Sequence, residues 1–251
     1  MGDEPPQKKT KYPWETLYSN VTLKEAQRRL GFRIQSLKTI EVDEILAEGN
    51  DLFTDDDVLG TKEKVYDQIL QYLEIEGYPT EAETDFKEAS INDLVFSTIS
   101  PILRDFIRRT GRKGIQLRRV KQIVATDEEA GGFEEFVVVD LISVTEERYV
   151  LVVEGKRSSV GKAMKQCLLA MKDMRDNNGD GKVYGFVTTG ELWQMIEYDG
   201  KSFRMTDSIN VVFGTMGEKK ERWMKEGAVL VDCINFALTN GGIVTNDVVV
   251  G

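Results

Sequence analysis

Two acidic residues interrupt successive runs of β-branched residues: Asp140 closes the string FVVVD, and Glu154 lies near the end of YVLVVEGK, two positions before Lys156. A carboxylate inside an apolar strand is costly unless a partner compensates it, so two on neighbouring strands call for a cation. Side chains alternate along a strand, which puts Glu154 and Lys156 on one face and Gly155 on the other. If the two strands form a meander, Asp140 reaches the same face, and the result is a dicarboxylate with a lysine beside it. Magnesium, or manganese in its place, suits such a set, because it takes one or two carboxylates, keeps several waters and recruits phosphate oxygens. A metal-bound water then serves as nucleophile, and Lys156 lowers its pKa or neutralises charge on a scissile phosphate.

The spacing [DE]-x-K alone is weak, since the chain has it five times: Asp85/Lys87, Glu154/Lys156, Asp180/Lys182, Asp199/Lys201 and Glu218/Lys220. Only the second lies in an apolar strand that follows another acid-bearing apolar strand. Competing readings are structural: Asp140 and Glu154 as strand-end ion pairs with Lys156 or Arg118, and Gln166 as a polar residue on an amphipathic helix. The string from Asp176 to Gly181 imitates a calcium loop, but Val187 stands where a bidentate glutamate is required, so it reads as a turn.

Composition narrows the chemistry. The 251 residues include no histidine, which excludes Ser-His-Asp hydrolysis, HNH-type cleavage and most zinc catalysis. Cys167 and Cys233 are the two cysteines, too few and too far apart for a disulfide framework. A reducing, intracellular setting is expected. The formal net charge is −10, which opposes bulk nucleic-acid binding, yet the charge is segregated. Residues 41–90 hold sixteen acids against three lysines, whereas 101–125 hold eight basic residues against Asp105 and 156–175 hold six against Asp173. Arg118, Arg119, Lys121, Arg157, Lys162 and Lys165 in these blocks are the candidate nucleic-acid contacts; the alternative is a solvated helix face.

The elements that must position these residues follow from periodicity. Residues 1–20, with three of the five prolines, read as a mobile arm, and Lys8–Lys11 as a short nuclear-import signal. A helical region over 21–80 includes a capping box at Thr22–Glu25 and a helix at 62–77. A helical pattern over 83–109 is interrupted at Ser100-Pro101. Strands are expected at 115–124, 133–144, 148–154, 183–188, 191–198 and 202–205, with helices at 159–176 and 218–239. This order gives a mixed α/β fold with helices on a central sheet.

Acid strand, turn, [DE]-x-K strand and then a helix with an inward glutamine resembles the PD-(D/E)XK superfamily of type II restriction enzymes, Holliday-junction resolvases and RecB-type nucleases, over about residues 83–200. The resemblance implies a restriction-endonuclease-like mixed sheet flanked by helices over 83–251, with a helical addition at its N-terminus. It assigns Asp140 and Glu154 as the metal-binding acids, Gly155 as the position whose carbonyl completes the metal shell, Lys156 as the lysine and Gln166 as the orienting glutamine. Glu88, or after it Asp93, takes the place of the acid that many relatives carry on the preceding helix. Ala170 replaces the tyrosine of the RecB-type pattern, and Val139 replaces the proline before the first acid. A module preceding a nuclease-like core is also similar to the C-terminal regions of Crinkler-type effectors of oomycetes and fungi. The expected function is a Mg²⁺-dependent endonuclease acting on DNA, with RNA not excluded, no membrane association and a homodimer left open. The alternative is a nuclease-fold module that no longer cuts and binds nucleic acid or protein.

Overall fold

The computed structural model describes residues 12–49, 52–78, 87–157 and 160–243, without the side chains of Asp55 and Glu88. The import-like string Lys8–Lys11 lies outside them. In chain order the elements are β1 (Thr16–Leu17), α1 (Leu23–Leu30), β2 (Lys38–Ile40), α2 (Val42–Leu46), α3 (Asp55–Glu76), α4 (Glu88–Thr110), β3 (Ile115–Val124), β4 (Ala130–Leu141), β5 (Glu147–Gly155), α5 (Val160–Asn178), β6 (Val183–Thr188), β7 (Leu192–Tyr198), β8 (Phe203–Thr206), β9 (Ile209–Asn210), α6 (Lys220–Glu226) and α7 (Val229–Asn240).

The nine strands form one mixed sheet, ordered β1-β4-β5-β6-β7-β8-β2, with β3 on β4 and β9 on β7. The fold is therefore α/β with flanking helices. β3, β4 and β5 form an antiparallel meander. β5 and β6 are parallel, a pairing that needs a crossover, and α5 supplies it. One core layer joins the sheet to α3, α4 and α7, through Ile69, Leu94, Ile102, Phe106 and Ile234. The other lies under α5 and α1, around Val137, Val152, Cys167, Leu168 and Met171.

Local chemistry sets the helix ends. Thr22 caps α1 by accepting from the Glu25 N–H, and Thr54 with Asp57 forms a capping box that starts α3 earlier than apolar spacing alone predicts. Pro101 sits inside a continuous α4, where the sequence suggested an interruption. The expected 218–239 helix divides into α6 and α7 around Gly227 and Ala228.

The N-terminal segment departs most from expectation. Residues 12–20 do not form a free arm: β1 pairs parallel with β4, and Trp14 and Tyr18 are buried. A Cβ on Gly131 would meet the Trp14 ring at 2.7 Å, and one on Gly132 would meet the Tyr18 ring at 2.6 Å. The two glycines are thus the close-approach surface on which this segment packs. The helical region is also not a separate layer, because β2 pairs with β8 and α3 shares its core with α4 and α7. Among the described residues no helix is long and apolar enough to cross a membrane.

Candidate functional site

Strand register decides which acids meet. Phe136 pairs with Val153 and Asp140 with Arg148, six residues before Glu154. At about 3.3 Å per residue that is roughly 20 Å along β5, so Asp140 and Glu154 lie toward opposite ends of the hairpin. An antiparallel pair places the start of one strand beside the end of the other. The acid that meets Glu154 therefore comes from the first half of β4, and it is Glu134.

Asp140 instead accepts from Arg112 at 2.5 Å, and Arg112 also donates to the Leu238 carbonyl. Asp140 is a structural ion pair that ties the turn before β3 to β4 and α7. This corrects its assignment as a metal ligand and also identifies its partner, which is neither Lys156 nor Arg118.

Glu134 lies in a break of the sheet. β3 runs along one edge of β4 from Gly131 to Asp140. The other edge is shared by β1, at Ala130–Gly131, and β5, at Phe136–Leu141. The stretch from Gly132 to Glu135 lies between them. Glu134 is 1% exposed and Glu154 4% exposed. The Lys156 ammonium is 3.3 Å from Glu154 Oε1. Tyr18 covers the other side, with its ring against Gly132.

Five carboxylates are buried among the described residues: Asp105, Glu134, Glu154, Asp173 and Glu197. Asp105 accepts from Thr61 and Lys64, Asp173 from Tyr18 at 2.6 Å, and Glu197 from Lys182, Tyr184 and Arg204. Glu154 has Lys156. No donor reaches either carboxylate oxygen of Glu134. Lys121, its register partner on β3, turns away to Glu147. Burial, followed by the charge of Glu154, holds the Glu134 carboxyl well above the usual carboxylate range, and Lys156 opposes the shift only in part. A hydrogen bond shared with the Glu154 carboxyl adds to the rise. Buried polar groups are ordinarily satisfied, so an acid with two open oxygens facing a second acid fits a cation or a shared proton. No cluster of three or more His, Cys, Asp or Glu capable of holding a metal occurs among the described residues; the set here is two carboxylates, within the number magnesium takes.

The other expected site residues divide. Gly155 lies between Glu154 and Lys156, and a Cβ there would meet Ile91 of α4 at 3.1 Å. Gln166 is half-buried on α5 and makes no hydrogen bond to Glu134 or Glu154. Its neighbour Cys167 faces the pair: burial and then the charges of Glu154 and Glu134 raise the thiol pKa. The Glu88 side chain lies outside the described residues, while Asp93 is exposed and its carbonyl accepts from Ser97.

The basic footprint is partly paired within the chain. Arg119 pairs with Glu135 and lies over the Phe136 ring, Lys121 pairs with Glu147, and Lys165 donates to the carbonyls of Ser19 and Val21. Arg118 is half-buried beside the β4–β5 turn. Arg157 and Lys162 are exposed, just beyond Lys156. Comparison of the chain with protein-family models and with curated proteins finds no match.

Proposed function

We propose that the chain is a metal-dependent phosphodiesterase whose site is Glu134, Glu154 and Lys156, with DNA as the expected substrate. The observation that carries this reading is the pair of unsatisfied Glu134 oxygens facing Glu154, with a single lysine offsetting two carboxylates. Glu134 and Glu154 would hold Mg²⁺ or Mn²⁺, which when bound supplies an activated water and neutralises phosphate charge. Glu134 gives up its proton to bind, because a coordinating carboxylate is ionised. Lys156, with its flexible stem and compact charge, stabilises the negative charge that develops on the phosphate. Tyr18 and α5 exclude bulk water from the pair.

The test is cleavage of plasmid DNA with Mg²⁺ or Mn²⁺ against an EDTA control. Wild-type protein should nick it, Glu134→Ala should not, and Lys156→Ala should retain metal binding but lose on the order of 10²-fold in rate. A second reading, a nuclease-fold module that binds without cutting, is favoured by the near-complete burial of Glu134 and by the internal pairing of Arg119 and Lys121. DNA retention without nicking in any metal would select it.

A further inference from the structure

On the opposite side of the sheet from Glu134, a cavity of about 380 Å³ lies between α2, the start of α3 and α7. Its volume falls at the lower end of small-molecule sites, roughly 300–1,000 Å³, and suits one heterocycle with a small substituent. Leu46, Phe53, Val229 and Phe236 form apolar walls, and an edge contact with Phe106 holds the Phe53 ring.

The polar groups are few and converge. Asp232, Asn235, Phe236 and Thr239 recur at helical spacing, so one stripe of α7 faces the cavity. Asn235 is 7% exposed. Its backbone carbonyl accepts from Thr239, but no described residue hydrogen-bonds its side-chain amide. The amide is not sealed from solvent and opens on the cavity. It presents a donor and an acceptor in one plane, the pattern that matches an adenine-like edge with a ring nitrogen beside an amino group. Asp43 and Asp232 bring two carboxylates to the lining, and Lys62 offsets the latter at 2.7 Å. The remaining negative charge accepts hydrogen bonds from amino groups and repels phosphate.

We propose that this cavity binds a planar nitrogen heterocycle of nucleobase or nucleoside size that carries no phosphate, read by the Asn235 amide. The proposal is independent of the phosphodiesterase reading, because neither the residues nor the test involves Glu134, Glu154 or cleavage. Saturation-transfer NMR and titration on the full chain, with adenosine and AMP as probes, examine it. Adenosine should receive saturation from the wild-type protein, and AMP should bind at least about tenfold more weakly. Asn235→Leu, checked for folding by circular dichroism, should weaken adenosine about tenfold or more, as expected for loss of a bidentate pair. Asp43→Lys, at an exposed position, should narrow the gap between adenosine and AMP, and it decides the matter if Asn235→Leu does not fold. Absence of adenosine binding to folded wild-type protein, equal binding of AMP, adenosine binding unchanged in folded Asn235→Leu, or a gap unchanged in Asp43→Lys would overturn the proposal.

Discussion

At Glu134 two requirements conflict: the strand needs apolar side chains to fill the space under α5, and the proposed metal site needs a carboxylate there. The conflict has a measurable signature without metal. Because burial and Glu154 raise the Glu134 pKa in the folded chain, the folded state keeps a proton that the unfolded state has released above about pH 4.3. Folding then takes up a proton, and stability falls as pH rises from the ordinary carboxylate range toward the raised value. Glu134→Gln keeps the shape and removes the titration. In EDTA it should melt above wild type at neutral pH and lose that part of the pH slope, as followed by thermal melts between pH 4.5 and 8. The sequence made Glu154 and Lys156 legible, because a single acid-x-lysine lies in an apolar run. It pointed to Asp140 rather than Glu134 because the more apolar run is the one ending at Asp140. Counting outward from the turn at 143–146 would have favoured the earlier acids Glu134 and Glu135, since antiparallel strands pair from the turn.

Among the elements, β1 is poorly visible in sequence, whereas α1 is announced by its Thr22 cap. A two-residue strand has no periodicity, and the prolines before it suggest disorder. The segment is nevertheless fixed by Tyr18, which donates to Asp173 at 2.6 Å, and by Arg29, which reaches Asp127 and Glu129. Burial pushes Asp173 up to about 6, despite the Tyr18 hydrogen bond and the charges of Arg29 and Lys172. The folded state thus binds more protons than the unfolded state between about pH 4 and 6, and this carboxyl makes stability fall across that window as pH rises. Tyr18→Phe removes a hydrogen bond to a buried charged group and should cost about 1.5–3 kcal/mol at pH 7, read as a lower urea midpoint. Protonating Asp173 relieves part of that loss, so the deficit should shrink at pH 5. An equal deficit at both values would mean that Tyr18 contributes through its ring alone. The meander, α5 and β6 were legible, by contrast, because their apolar periods are long and the turn between α5 and β6 carries Gly179 and Gly181.

For the molecule as a whole, charge that is segregated in sequence is paired in space. Arg109 meets Asp57 of the acidic third, Arg112 meets Asp140, and Arg119 meets Glu135. An eight-residue basic block does not become an eight-charge surface, because strand register and helix packing, which sequence spacing does not disclose, choose the partners. Arg157 and Lys162, exposed on the segment that follows Lys156, are the expected phosphate contacts of the proposed site. Replacing both with alanine should reduce the slope of log affinity for duplex DNA against log salt by about 1.8, at 0.9 per contact. Arg119→Ala should leave the slope unchanged. A slope that falls with Arg119 and not with Arg157 and Lys162 would place the contact face on β3 instead.

Calorimetric titration of Mn²⁺ into wild-type, Glu134→Gln and Asp140→Asn proteins discriminates the two candidate acids most directly. Wild type and Asp140→Asn should each bind Mn²⁺ at one site with proton release at neutral pH, while Asp140→Asn melts at a lower temperature because Arg112 loses its charged partner. Glu134→Gln should fold and bind no Mn²⁺ at that site. Wild-type binding that survives in Glu134→Gln and is lost in Asp140→Asn, or a folded wild-type protein that takes up no Mn²⁺, would contradict the Glu134–Glu154 metal site.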